Sequence, residues 1–342
     1  MKNLPELIIL DVGHGGCTVL RDTNHTIIVD CAPGSTLIDL LEVLDIHEIS
    51  HILISHADYD HIAGIITLLS NLEMKIHNIY LNPDSAKDTA IWTALRIALK
   101  DARKRNSIKI HIGLTTEQSG QLDTDQVKIE ILAPSPELAM SGVGGKDLRR
   151  RPLSSHSMSA VISIIHQDHR VAILPGDIDE VGLKNLADDY EELYTDLLVF
   201  PHHGGRSGHT DNEQFAQLLC SLVKPKVVLF SFDRNKFSNP REDIMKGIKT
   251  VVPKVYVACT QLSKNCAAQL PNSDLAHLSK LPSKSRINKC SCGGTMLVKI
   301  NGNQTFSGSP FMKHQQFVER DVPTPMCLKV FVEKQKKTEE IN

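Results

Sequence analysis

The 342-residue sequence contains no apolar run approaching the roughly 20 residues that a membrane-spanning helix requires, which excludes an integral helical membrane protein. Its opening, Met1-Lys2-Asn3-Leu4-Pro5-Glu6, lacks the apolar region of a secretory signal. No charge of one sign dominates. The formal net charge is -2, so the overall balance singles out neither nucleic acid nor a lipid surface, while leaving room for a local basic groove. The eight cysteines are scattered rather than evenly framed, which argues against a disulfide scaffold and for a reducing, cytoplasmic location. No internal repeat and no DNA-binding module stand out. What is present is ordinary for a globular chain: 41% hydrophobic and 23% charged residues exclude global disorder.

Short apolar or β-branched runs at 7–10, 17–20 and 26–29, parted by Gly, Asn and Asp, predict a meander of strands. Helical spacing over 36–44 is followed by a buried strand at 51–55 and a helix over 62–69. A longer helix is expected over 86–104, with Trp92, Leu95 and Leu99 on one face and basic residues near its C-terminal end. In the second half, strands are expected at 127–132, 159–165, 171–174, 197–200, 227–231, 255–258 and 295–300. Helices are expected over 181–192, 212–223 and 241–248. This mixture predicts an α/β fold of sheets covered by helices. Residues 261–291 turn polar and Pro-punctuated and predict a loop or boundary, and frayed chain is expected from Glu333 on. The division expected is a hydrolase domain over 1–258 and a Cys-containing extension over 259–342 that completes or caps it.

The chemistry-bearing residues gather beside the buried strands. They are His56-Ala57-Asp58-Tyr59-Asp60-His61, then His156 in a Ser-rich loop, Asp177 after Pro175-Gly176, and the pair His202-His203. One His or Asp in a loop is usually a cap or turn residue, and Asp177 alone would read so. Four donors within six residues cannot all be caps. Imidazole nitrogen and carboxylate oxygen are ligands for zinc or manganese, and strand ends hold them in fixed geometry. Six or seven donors exceed one tetrahedral site and suit two ions sharing a carboxylate.

In this order the motifs resemble the metallo-β-lactamase superfamily, whose usual string is His-x-His-x-Asp-His, followed by a later His, an Asp after Gly, and a final His. Asp58 stands where most members have histidine. That variant resembles the hydrolase domain of the competence protein ComEC and its stand-alone relatives, whose Leu-Asp-Val-Gly-Gln-Gly-Asp opening is similar to Leu10-Asp11-Val12-Gly13-His14-Gly15-Gly16 here. Ile28-Val29-Asp30, Ser55 to Gly64 and His202-His203-Gly204 also match, with Ala63 and Gly205 replacing the usual Gly and Ser. The resemblance spans about 6–258 and implies a four-layer αβ/βα sandwich with two mixed sheets. Carried over residue by residue, it implies that His56, Asp58 and His156 hold one ion. Asp60, His61 and one of His202 or His203 would hold the other, with Asp177 bridging. Asp30 would orient a ligand from behind. His202 or His203 would also serve as proton donor to the leaving group.

Two divalent ions are therefore expected, zinc first, with the carboxylate at Asp58 keeping manganese in view. The expected reaction is hydrolysis of a phosphodiester in a nucleic acid, nucleotide or similar molecule. The alternatives are a lactone, thioester or lactam hydrolase, or a metal-stabilised binding or regulatory protein without activity. Arg151, in the run Arg149-Arg150-Arg151, and Arg206 are candidates for clamping a substrate phosphate, although a solvated basic turn also explains the run. Residues 141–146, rich in glycine, suggest a flexible loop over the site. Cys259, Cys266, Cys290 and Cys292 are candidates for a structural zinc site of irregular spacing, against the plainer reading as buried thiols.

Overall fold

Successive side chains of a strand leave opposite faces, and this alternation sets the layers. In β1 (Glu6–Ile9), Leu7 and Ile9 enter one apolar cluster while Ile8 enters another. The computed structural model describes residues 4–106, 108–208, 211–272, 275–301 and 309–331. After β1 come β2 (Thr18–Asp22) and β3 (His25–Val29), an antiparallel meander. The chain then alternates helix and strand: α1 (Thr36–Val43), β4 (Glu48–Ile54), α2 (Tyr59–Ser70), β5 (Lys75–Leu81), α3 (Ala90–Asn106) and β6 (Lys109–Ile112). From β3 to β6 the pairing is parallel, each step crossing through a helix.

The second half repeats that plan. β7 (Val127–Ala133), with α4 (Pro136–Ser141) in the connection after it, β8 (Val161–His166) and β9 (His169–Leu174) pair antiparallel. Then α5 (Glu180–Asp189), β10 (Leu197–Val199), α6 (Asn212–Val223), β11 (Val227–Phe230), α7 (Glu242–Val251) and β12 (Tyr256–Cys259) continue in parallel register. The last stretch holds α8 (Lys284–Ile287), β13 (Met296–Lys299) and α9 (Ser309–Asp321), and β13 returns to pair antiparallel with β1. Among the described residues the sheets have seven strands (β13-β1-β2-β3-β4-β5-β6) and six strands (β12-β11-β10-β9-β8-β7). The topological duplication has no counterpart in the sequence as a repeat, because a sheet needs a pattern of apolar positions and not a particular set of residues.

Leu7, Ile9, Ile27, Leu53, Ile129, Ile162, Leu174 and Leu229 form the layer where the two sheets face each other. Outside the first sheet, Ile8, Ile28 and Ile52 meet Leu40 of α1, Ile65 of α2 and Leu95 of α3. Outside the second, Ile173, Leu198 and Phe230 meet Leu183 of α5, Phe215 of α6, Ile244 of α7 and Phe317 of α9. The result is the α/β, four-layer sandwich of two mixed sheets that the motifs led one to expect. No helix among the described residues is long and apolar enough to cross a membrane.

Several boundaries differ from expectation. β5 and β6 carry no clean alternation, since Lys75, His77, Asn78, Lys109 and His111 interrupt the apolar residues. Helix α3 starts at Ala90 rather than residue 86, and the preceding turn instead carries Lys87 toward Asp58. α9 follows a polar stretch and was not anticipated. The glycine-rich segment over 141–146 is joined to Leu153 by backbone hydrogen bonds, Gly144 N to Leu153 O (2.9 Å) and Leu153 N to Gly145 O (3.0 Å). The residues from Glu333 on lie outside those described.

Candidate metal centre

Parallel strands bring their carboxyl ends to one edge, and this chain's His and Asp residues follow those ends. Asp30 follows β3, His56 follows β4, Asp177 follows β9 and His203 follows β10. β8 runs antiparallel to β9, so His156, which precedes it, reaches the same edge.

Asp30 sits at a left-handed φ of 57° and organises what surrounds it. Its Oδ1 accepts from the Ser55 amide (2.7 Å), and its Oδ2 accepts from the Ser55 hydroxyl (2.6 Å) and from His61 Nδ1 (2.7 Å). A carboxylate only accepts, so His61 carries a hydrogen on Nδ1 and turns Nε2 inward. Having given its hydrogen to Asp30, Ser55 accepts from His56 Nδ1 (3.0 Å), which fixes the same tautomer there. The Nε2 atoms of His56, His61 and His203 are all buried without a hydrogen-bond partner. Orphaned buried nitrogens are costly, and their clustering is the sign of a metal site.

The carboxylates face these nitrogens. Asp177 Oδ2 lies 3.6 Å from both His61 Nε2 and His203 Nε2, while its Oδ1 accepts from the His202 amide (2.8 Å). Gly176 before it has φ 54°, and a Cβ there would come within 2.3 Å of Ser159 Oγ, so only glycine brings Asp177 this close. Asp60 Oδ2 is 3.3 Å from His203 Nε2. Asp58 precedes α2 but makes no capping hydrogen bond. Instead its Oδ2 meets His156 Nε2 at 3.0 Å and its Oδ1 meets Lys87 Nζ.

Charge states follow from this packing. Burial, then the neighbouring His61, push the His56 pKa well below the ordinary imidazole value. Burial also opposes charge on His61, but Asp177 and Asp30 outweigh it and hold that pKa well above the ordinary value. Burial would raise Asp177, yet His203, His61 and His202 hold it well below the usual carboxylate range. For Asp58, burial is likewise outweighed, by His156, His56 and Lys87, and its pKa is lowered.

Three groups of donor atoms result, each mutually within 4.8 Å: His56, His156 and Asp177; His61, Asp177 and His203; and His14, Asp60 and His203. Nitrogen and oxygen donors at this density fit divalent zinc or manganese. A family model described as the metallo-beta-lactamase superfamily matches residues 10–173. Over that stretch, just under half of the chain, the sequence is similar to the metallo-beta-lactamase superfamily.

The matched stretch contains His56, Asp58, Asp60, His61 and His156 and ends just before Asp177. No curated protein matches the sequence. Among solved structures, the metallo-beta-lactamase fold protein YhfI from Bacillus subtilis is 15% identical, with 75% of this chain and 96% of that one covered, at a TM-score of 0.47. Igni18, a metallo hydrolase from Ignicoccus hospitalis, is 16% identical, with 74% and 94% covered and a TM-score of 0.44. The short form of human tRNase Z is 17% identical, with 67% and 92% covered and a TM-score of 0.38.

In this metallo-beta-lactamase fold the two adjacent histidines separate cleanly. Both occupy left-handed backbone, φ 51° for His202 and 54° for His203. The turn aims His203 at Asp60 and Asp177, and sends His202 Nε2 to the Ile178 carbonyl at 3.1 Å. A carbonyl accepts, so that hydrogen is engaged, and His202 joins none of the donor groups. This geometry does not offer His202 Nε2 as a proton donor to a leaving group.

Arg151 is not presented to the centre: its Nε donates to Asp147 Oδ2 at 2.5 Å and its Nη2 lies 3.9 Å from Asp188. Arg206 is exposed, three residues past His203. Cys259, Cys266, Cys290 and Cys292 are buried free thiols, and no three of them bring their sulfurs within 4.8 Å. Cys259, Cys266 and Cys292 pack among Val257, Leu262, Val318 and Met326, while Cys290 donates to Gln261 Oε1 at 3.5 Å. That is the arrangement of core thiols. A four-cysteine zinc site is not formed by it.

Two residues escaped the sequence reading. His14 Nε2 lies 3.2 Å from Asp60 Oδ2; burial and the nearby His203 lower its pKa to about 4 against the pull of Asp60. The only signal was its position in the glycine-rich opening. Lys87, bound to Asp58 and 3.3 Å from Ser155 Oγ, had no signal at all.

Proposed function

We propose that this chain is a hydrolase with a dinuclear divalent-metal centre that cleaves a phosphodiester in a nucleic acid, nucleotide or related molecule. The observation that carries this reading is the Asp177 carboxylate, common to the His56–His156 and the His61–His203 donor groups. A shared carboxylate suits two ions about 3.5–4 Å apart. When bound, such a pair supplies an activated water and neutralises charge on the oxygens of a transferring phosphoryl or acyl group. His56, Asp58 and His156 would hold one ion, and Asp60, His61 and His203 the other.

The chain's own residues prepare for this. Asp30 and Ser55 fix the tautomers of His61 and His56, so both Nε2 lone pairs face the centre. Lys87 holds Asp58 and offsets the charge of a carboxylate standing where the family string has an imidazole. Its ammonium also gives the centre a cation beside which a phosphate is favoured. The order of the motifs, similar to that of the competence-protein hydrolase domain, supports a phosphodiester over a lactam. Three carboxylates in the donor set keep manganese a fit alternative to zinc. Eight cysteines free of disulfides support a reducing compartment such as the cytoplasm.

The test is hydrolysis of bis-p-nitrophenyl phosphate by the purified full-length protein with zinc or manganese, alongside metal content by mass spectrometry. Two ions per chain and metal-dependent turnover are expected. Asp177→Ala, folded by circular dichroism, should lose at least about 100-fold, the upper end of what loss of an orienting partner alone costs. Two bound ions with no phosphodiester cleaved, or cleavage of lactones or thioesters instead, would overturn the reading.

A further inference from the structure

We propose that His14 is itself a metal ligand, adding a donor to the ion held by Asp60, His61 and His203. The inference rests on reading the cluster as a dinuclear site. It starts from a backbone that has no freedom to place His14 elsewhere. Gly15 has φ 130°, and a Cβ there would lie 2.3 Å from the Asp60 carbonyl oxygen and 2.6 Å from Ala32 Cβ. The Gly16 amide donates to that same Asp60 carbonyl at 3.1 Å, and the Ser231 hydroxyl donates to the Gly15 carbonyl at 2.9 Å. On the other side, the Asp11 carboxylate accepts from the Gly13 amide (3.2 Å), Gln261 Nε2 (3.1 Å), the Ser283 hydroxyl (2.6 Å) and the Ser285 amide (2.7 Å). The opening loop is thus pressed onto the backbone of a ligand residue and locked from both ends.

From this loop His14 reaches over the centre. Its ring lies 4.5 Å from that of His203 and 4.7 Å from that of Phe237. Its Nε2 and His203 Nε2 approach the same oxygen, Asp60 Oδ2, at 3.2 and 3.3 Å. Two imidazole nitrogens and one carboxylate oxygen converge, and the His203 nitrogen is buried with no hydrogen-bond partner. A cation among the three satisfies all of them at once. No donor is bonded to His14 Nδ1, so nothing fixes the tautomer against presenting the Nε2 lone pair. With His14 added to Asp60, His61, His203 and Asp177, the donor set exceeds the four of a tetrahedral zinc site and suits an ion of higher coordination number, such as manganese or cobalt(II).

The full-length protein, stripped and titrated with cobalt(II), provides the test. His14→Cys places a thiol at the same position, and a thiolate bonded to cobalt(II) absorbs by charge transfer in the near ultraviolet. That absorption should appear in the loaded variant and be absent from the loaded wild type. His14→Phe should bind one ion with unchanged affinity and the other at least about tenfold more weakly, measured by competition with a chromophoric chelator. Two folded variants with no new absorption and no change in either affinity would overturn the role of His14 while leaving the dinuclear reading intact. A wild type that takes up fewer than two ions would overturn the dinuclear reading first, and His14 as an added ligand with it.

Discussion

Asp30 shows how a residue outside the three donor groups decides what those groups can bind. It ties the Ser55 backbone, the Ser55 hydroxyl and the His61 ring together, and through Ser55 it also sets His56. Asp30→Ala removes the acceptor for His61 Nδ1, so the ring can exchange tautomer and turn. The expected cost is about 10–100-fold in affinity for the ion at His61, with the fold retained. A chelator-competition titration measures this, and an affinity equal to wild type would show that Asp30 serves only the strand end. At this scale the sequence was legible where donors crowd along the chain, as they do from His56 to His61. It was illegible where a donor meets its partner only through space. His14 meets Asp60, and Lys87 meets Asp58, because loops from different strands converge at one edge. The choice between His202 and His203 was equally hidden, since it depends on two positive φ values and not on the identity of either side chain.

Among the elements, the connections carry more of the specification than the strands they join. Continuous apolar or β-branched runs announced the meander β1–β3 and the parallel strands β10–β12, and the apolar spacing of α6 matched its observed bounds, Asn212–Val223. β6 was unreadable because it is an edge strand with little of it buried. The glycine turns are different: their residue type was visible, but the reason for it was not. Gly15 and Gly34 both have φ above 100°, yet only at Gly15 does backbone stand in the way of a side chain. Gly34→Ala meets nothing within 4 Å and should cost only backbone strain, about 1 kcal/mol. Gly15→Ala adds a clash with the Asp60 carbonyl, which lies at the start of α2, and should cost on the order of 3 kcal/mol. Urea unfolding with unchanged m-values would read the difference as a lower midpoint for Gly15→Ala. Equal midpoints for the two variants would mean that the opening loop yields easily, contrary to the packing described.

For the molecule as a whole, the polar change after residue 258 marks the end of the motif-bearing chain without marking the end of the folded unit. Residues beyond it supply β13, whose Met296, Leu297, Val298 and Lys299 pair with Ile9, Ile8, Leu7 and Glu6 of β1. Phe317, Val318, Val322 and Met326 close the outer layer over Met245, Val257 and Cys259. Gln261, Ser283 and Ser285 hold Asp11, and with it the loop that carries His14. Composition exposed the boundary because loops are polar; it concealed the return because β13 is four residues long and its partner is at the other end of the chain. A chain ended after residue 258 would leave β1 as an open edge and uncover apolar residues of the outer layer, both of which favour association. Such a truncation is expected to lose cooperative thermal unfolding, to elute as aggregate in gel filtration, and to bind less than its full complement of metal. A monomeric 1–258 fragment with a sharp melting transition and wild-type metal content would instead make that boundary a true domain limit and the extension an accessory to it.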